Sequence, residues 1–282
     1  MIQVIHKAEE IQKRSEQIRC QGKSIVLVPT MGFFHEGHLS LMRKGRELCD
    51  DLVISIFVNP AQFGPQEDFE SYPRDFERDI ELAGKEGVDA VFTPDSLELY
   101  PEGFQTYLEL EKLPNHLCGL SRPVFFKGVA TVVAKLFNIV KPHVAIFGEK
   151  DYQQLTVIRR MVRDLNFDIK IVAGPTVREP NGLAMSSRNN YLTPKQRPSA
   201  LTLYKSLVKA KTLLKSGVKD ANEIIQAATK MITSHPETRI DYISICDLEC
   251  LEDIKTIDKP ALMALAVNVG RTRLIDNIIL NP

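Results

Sequence analysis

Two histidines three residues apart, His35 and His38, stand inside the stretch KSIVLVPTMGFFHEGHLSLMR at positions 23–43. Imidazole N–H groups at the mouth of a helix suit one task above others: donating to phosphoryl oxygens as negative charge builds on a leaving group. Pro29, Thr30, Met31 and Gly32 break the apolar run Ile25-Val26-Leu27-Val28. Phe33, Phe34, His35, Glu36, Gly37 and His38 then lead into Leu39-Ser40-Leu41-Met42, which the spacing predicts to be the first turn of a helix running to about Cys49. Strand, glycine-bearing loop and helix start together aim backbone N–H groups and a positive dipole end at an anion, and the expected anion is a nucleotide phosphate chain such as that of ATP. Gly32 and Gly37 let the backbone come close. Two other readings stay open: histidines that are merely solvated or capping, and a zinc pair. Against zinc, no Cys or carboxylate lies at a spacing that would supply further ligands.

Three further clusters carry polar chemistry. Lys150, beside Gly148, Glu149 and Asp151, and Arg188, beside Met185, Ser186 and Ser187, have the makings of a polyphosphate clamp, lysine as a point charge and arginine as a fork. Taken singly, each is more often a surface charge. Asp151 suits ribose hydroxyls or the cap of the next helix. Asn59, Gln62 and Gln154 are neutral amides suited to the hydroxyls and carboxylate of a small polar substrate, although by themselves they read first as loop and turn residues.

These clusters need elements to hold them. Apolar runs at Ser24–Val28, Leu52–Val58, Ala90–Phe92, Val144–Phe147 and Ile169–Ala173 alternate with helical spacing over 6–20, 39–49, 75–86, 129–140 and 152–165. That alternation predicts an α/β fold, a doubly wound parallel sheet whose ligands bind beyond the carboxyl ends of the strands, where the polar clusters fall. A short strand pair is expected around Gln105–Leu110. Past Pro175 the pattern changes to helices from Thr193-Pro194 to about Ser216 and from Asp220 to about Ser234, then strands near Ile240–Cys246, Met263–Val269 and Arg273–Leu280, an α+β arrangement. The expected domains are therefore 1–176 and a smaller 177–282.

The chain of 282 residues holds 36 Lys plus Arg against 36 Asp plus Glu, a balance that gives no support to nucleic-acid binding. No apolar run approaches a membrane span, and no signal-type segment is expected at the start. Five scattered cysteines argue against a disulfide framework and for the cytoplasm.

The segments PTMGFFHEGHLSL, FVNPAQF, YPR, RPVFFKGVATVV, FGEKDYQQ, PTVRE and GLAMSSRN, in this order, closely resemble the pantothenate synthetase (pantoate–β-alanine ligase) family over essentially the whole chain. An HxGH alone is shared by a large nucleotidyltransferase superfamily that includes class I aminoacyl-tRNA synthetases; its combination with FGEKDYQQ and MSSRN is specific. The resemblance implies a Rossmann-like domain of the HxGH nucleotidyltransferase type with a small C-terminal α+β lid carrying the MSSRN loop, and a homodimer joined through the N-terminal domain. It implies an ATP- and Mg²⁺-dependent ligase that condenses pantoate with β-alanine through a pantoyl-adenylate, releasing AMP and pyrophosphate. Carried onto this chain, residues Pro29 to His38 form the ATP loop, with His38 and His35 at the reacting phosphates, helped by Lys150 and Arg188. Gln62 and Gln154 hold pantoate, and Gly148, Lys150 and Asp151 contact ribose and phosphate. Val177 makes a main-chain contact to the nucleotide, Met185-Ser186-Ser187-Arg188 stands for the synthetases' KMSKS loop, and Asp79 aligns with a carboxylate near the magnesium. One departure stands out: Phe125 occupies the family's usual histidine position and Lys127 keeps only a charge, which predicts weaker substrate binding. The rivals are a nucleotidyltransferase that keeps the adenylate in its product, a nucleotide-binding regulator without turnover, and a zinc hydrolase.

Overall fold

The computed structural model describes residues 2–65 and 67–282. In chain order the elements are β1 (Gln3–Ile5), α1 (Ala8–Cys20), β2 (Ile25–Thr30), α2 (Glu36–Leu48), β3 (Asp51–Ile56), α3 (Phe76–Lys85), β4 (Ala90–Phe92) and α4 (Ser96–Leu99). There follow α5 (Cys118–Ser121), α6 (Phe125–Val140), β5 (Val144–Gly148), α7 (Tyr152–Asp164), β6 (Lys170–Gly174), α8 (Arg197–Lys215), α9 (Ala221–Thr233), β7 (Thr238–Cys246), β8 (Ala261–Val269) and β9 (Thr272–Leu280). Short 3₁₀ turns occupy Pro60–Gln62, Leu113–Asn115, Glu149–Asp151 and Ser187–Tyr191. No helix among the described residues is long and apolar enough to cross a membrane.

The chain divides into two compact units, Met1–Leu110 with Val124–Glu149 and Gln154–Pro175, and Glu111–Pro123 with Lys150–Gln153 and Thr176–Pro282. Two short segments, 111–123 and 150–153, belong to the second unit. The reason is Gln153, whose buried amide accepts from Cys118 N and donates to the carbonyls of Leu113 and His116, tying 113–118 to the start of α7.

The first unit is a Rossmann-like sheet in the order β1-β4-β3-β2-β5-β6, every pair parallel. Its central strands are buried on both faces, as parallel strands are. Ile25 and Leu27 of β2 pack into one core with Val53, Val133, Phe137, Leu155 and Ile158, beneath α1, α6 and α7. Val26 and Val28 alternate into the other, with Leu41, Met42, Ile54 and Ala83, beneath α2 and α3. Each such Leu or Ile side chain contributes about 2 kcal/mol by leaving water. The winding runs outward from β2 through β3 to β4, then restarts at β5 on the other side of β2, so the switch point lies between β2 and β5.

Three expectations need correction. β1 escapes a periodicity reading because three residues are too few to show one. The strand pair around Gln105–Leu110 does not form; the segment is irregular, and Leu108 N donates to Thr131 Oγ1 of α6 instead of to a ladder. Thr193-Pro194 does not open a helix either. Gln196 Oε1 accepts from Thr193 N and closes a turn first, and α8 starts at Arg197 with Pro198 in its first turn.

The second unit is an antiparallel sheet, β7-β8-β9, packed on α8 and α9. Leu203, Leu207 and Leu214 of α8 and Ile224 and Ile232 of α9 meet Met263, Leu265 and Val267 of β8 in one core.

Candidate active site

The loop after β2 is held by a polar frame. Thr30 Oγ1 donates to Ser55 O at 2.6 Å and accepts from Gly32 N. Gly32 and Phe33 both have positive φ, 82° and 54°, and a Cβ on Gly32 would lie 3.0 Å from Asp79 Oδ2. Asp79 of α3 is buried, and its two carboxylate oxygens accept from Phe33 N at 2.6 Å and Phe34 N at 2.7 Å. Burial pushes this carboxyl above its usual range, while the Phe34 and Phe33 amides pull the other way. Arg78 donates to Phe34 O and lies over the Phe33 ring. Asp79, aligned by resemblance with a magnesium site, is thus found as the strut of the loop, with both oxygens engaged by amides.

Helix α2 begins three residues earlier than its spacing predicts, because His35 caps it. His35 Nδ1 accepts from Gly37 N at 3.1 Å, and His38 Nδ1 accepts from His35 N at 3.3 Å, a reciprocal capping box built from two imidazoles. The rings lie 4.1 Å apart between centroids. Because each Nδ1 accepts, each Nε2 carries the proton, and both histidines are fixed as Nε2–H donors at the positive end of α2. A zinc pair is not what this geometry builds: among the described residues no three His, Cys, Asp or Glu side chains are grouped to hold a metal.

The turn after β3 sits beside this loop. Asn59 is buried and its amide is saturated: Oδ1 accepts from Tyr100 Oη at 2.8 Å and Ala61 N at 3.3 Å, and Nδ2 donates to Gln62 Oε1 and Gly128 O, both at 3.1 Å. Gln62 Nε2 reaches Met31 Sδ at 3.1 Å. Asn59, expected to touch substrate, is therefore a holder of Gln62. Gly128 of α6 is what lets the turn sit so close, since a Cβ there would fall 2.3 Å from Ala61 O. Gly148, at the end of β5 across the switch point, has no such steric reason: its φ is not positive and a Cβ would meet nothing within 4 Å. Gln154 is half-buried on α7. Phe125 starts α6 packed edge-on against Phe126 at 4.9 Å and against the core, and Lys127 pairs with Glu109.

In the second unit, Lys150 Nζ lies 3.7 Å from Asp151 Oδ2, and Asn277 Nδ2 of β9 donates to Lys150 O at 2.8 Å. Val177 O accepts from Met185 N, closing a hairpin with the Arg178–Ala184 bridge. Ser186 caps the Ser187–Tyr191 turn by accepting from Arg188 N. The hairpin is pinned by Arg178, whose guanidinium forks onto Asp276 of β9 at 2.6 and 2.9 Å and stacks on Tyr204. Sequence reasoning missed Tyr100, Arg178, Asp276 and Asn277. One signal was available: Asp276 shares the buried face of β9 with Thr272 and Leu274 at a period of two, where a charge demands a partner.

The model of the pantoate-β-alanine ligase family matches residues 3–279. The chain belongs to the pantoate-β-alanine ligase family. It is 58% identical over 281 residues to the pantothenate synthetase of Desulfatibacillum aliphaticivorans, covering all of both chains. It is similar to the crystal structure of the Thermus thermophilus enzyme (TM-score 0.95, 43% identity, 100% of both chains). A third relative is the Francisella tularensis pantoate-β-alanine ligase complexed with β-γ ATP and β-alanine (TM-score 0.81, 32% identity, 99% of this chain and 98% of that one). Membership in this family fits a carbon–nitrogen ligase that uses a nucleotide.

Proposed function

We propose that the chain condenses pantoate with β-alanine to give pantothenate, with ATP cleaved to AMP and pyrophosphate. A free carboxylate is a poor acyl donor, so its oxygen first attacks the α-phosphorus. The bond to pyrophosphate breaks, and pantoyl-adenylate forms. The β-alanine amine then adds to the activated carbonyl, loses a proton and expels AMP. No enzyme nucleophile is needed.

The observation that carries this reading is the reciprocal His35–His38 cap at the β2/β5 switch point, which sets two Nε2–H donors and the positive end of a helix toward an anion. Donors fixed before the reaction stabilise charge that develops on the departing phosphate without reorganising. Gly148 keeps open space at the neighbouring strand end, as a nucleotide would need. Lys150 and Arg188 are assigned phosphate contacts, Asp151 the ribose, Val177 a main-chain contact to the nucleotide, and Gln62 and Gln154 pantoate. Magnesium suits this site as a companion of the phosphates: the described residues form no cation cage, and Mg²⁺ keeps its waters and binds substrate oxygens readily. A homodimer through the first unit, testable by light scattering, and a reducing cytoplasm, which suits five free thiols, complete the reading.

The test is release of AMP and pyrophosphate from Mg·ATP with pantoate and β-alanine, separately and together. AMP should form only with both present. His38→Ala should lose about 100-fold or more in kcat while melting within a few degrees of the parent. ATP binding with no AMP from the pair would overturn the reading.

A further inference from the structure

Tyr100, the last residue before the Pro101 turn, lies outside every motif considered above, yet it closes the hydrogen-bond chain that ends at Gln62. Two backbone groups fix the Asn59 amide. Gly128 O can only accept, so Nδ2 must face it, and Ala61 N can only donate, so Oδ1 must face that. The second lone pair of Oδ1 takes the Tyr100 hydroxyl at 2.8 Å, so the phenol donates. The second N–H of Asn59 goes to Gln62 Oε1. Gln62 has then committed its oxygen inward, which turns its NH₂ the other way, toward the thioether of Met31. Sulfur is a weak acceptor, so a substrate oxygen can take its place readily.

We propose that Tyr100 is a positioning residue for Gln62, acting through Asn59, and that the relay turns the NH₂ of Gln62 toward the hydroxy-acid substrate. This rests on the pantoate reading given above and deepens it. An NH₂ turned this way donates to a carboxylate or hydroxyl oxygen of the substrate. The ring of Tyr100 is held so that its hydroxyl stays aimed. Phe57 and Phe104 pack on it at 6.4 and 5.1 Å, and the Lys135 ammonium lies over Phe104 and Tyr100 at 4.6 and 5.9 Å. Burial pushes the phenol well above its ordinary range, so it remains a donor throughout the working pH.

A double-mutant cycle with Tyr100→Phe and Gln62→Ala tests the relay, read by pantoate-dependent exchange of pyrophosphate into ATP. Phenylalanine keeps the ring packing and removes only the hydroxyl. Tyr100→Phe should raise the KM for pantoate about three- to tenfold and leave the KM for ATP within about twofold. On the Gln62→Ala background the same change should do nothing further. An equal effect in both backgrounds, or none in either, overturns the proposal. Exchange of the Gln62 side-chain amide protons, followed by NMR without substrate, reads the relay independently of turnover: it should be slow in the parent and faster in Tyr100→Phe. A parent that binds ATP but catalyses no pantoate-dependent exchange would defeat the reaction assigned here, while the amide measurement would still decide the relay.

Discussion

The two loops that carry the candidate phosphate contacts are positioned in opposite ways. The loop after β2 is fixed along its own length: Thr30 bonds the adjacent strand, His35 and His38 cap each other, and one buried carboxylate from α3 takes two consecutive amides. The Met185–Arg188 loop is fixed from afar, by a hairpin whose Arg178 forks onto Asp276, 98 residues later in the chain. The first loop presents backbone and ring N–H donors, which have little freedom and need a stiff mount. The second presents a long cationic side chain, whose base the hairpin and the Ser186 cap hold. Stiffness is placed where the donor cannot move by itself.

The largest expected effect follows from removing the stiff mount. Asp79→Ala would leave Phe33 N and Phe34 N without their acceptor next to a backbone already at positive φ. Unfolding free energy should fall by about 3 kcal/mol, and adenylation should fall with it, because the cap and the anion site share that loop. Asp79→Asn should do little better, since its NH₂ would face one of the two amides. Denaturant titration beside the exchange assay checks both; a stable, inactive Asp79→Ala would instead favour a direct metal role. For the remote mount, Arg178→Gln strands the Asp276 carboxylate, which is 2% exposed and keeps only the Asn277 N–H. Because Arg178 is itself partly exposed, a loss of about 2 kcal/mol is expected, and, on the proposed nucleotide role of the loop, a raised KM for ATP with an unchanged KM for pantoate. A change in the pantoate constant alone would break the contrast between the loops.

The same contrast explains what could be read from the chain. Buried parallel strands are apolar runs ended by Pro or Gly, so five of the six sheet strands showed themselves; β1, with only Gln3, Val4 and Ile5, could not. The His35–His38 part of the loop after β2 was legible because those partners lie within three residues, whereas Ser55 and Asp79, 25 and 46 residues away, were not. Asp79 entered only by its alignment with a family carboxylate near magnesium, since sequence gives no sign that two amides need its oxygens. Asn59 was taken for a substrate ligand because an amide looks available until Tyr100 and Gly128 are found beside it. Thr193-Pro194 misled for a simpler reason: Pro198 four residues on carries the same start signal, and only the Gln196–Thr193 bond decides between them.

The smallest effect belongs to the floor of the first unit, at the opposite end of β2 from its loop. His143 Nδ1 accepts from Ile25 N at 2.9 Å, at the start of β2. Burial, helped by Arg19 and opposed by Asp168, lowers this imidazole below its ordinary value of 6.5. A histidine lowered on folding binds fewer protons in the native chain than in the unfolded one. Its contribution to stability is complete above the unfolded value and is lost as pH falls from there through the folded value. Asp79, raised by burial, has the opposite sign, losing stability as pH rises through its folded value. The two are separated by subtraction, because Asp79 is common to parent and variant. His143→Asn keeps an acceptor for Ile25 N and removes the titration. The difference in unfolding free energy between parent and His143→Asn should be constant from about pH 8 to 7. Toward about pH 5 it should shift in favour of the variant, by no more than about 1.4 kcal/mol per pH unit. A difference that stays flat over that whole range would mean that the strand start keeps its acceptor in acid, and that the base of β2 is held by its neighbours β3 and β5 without help from this ring.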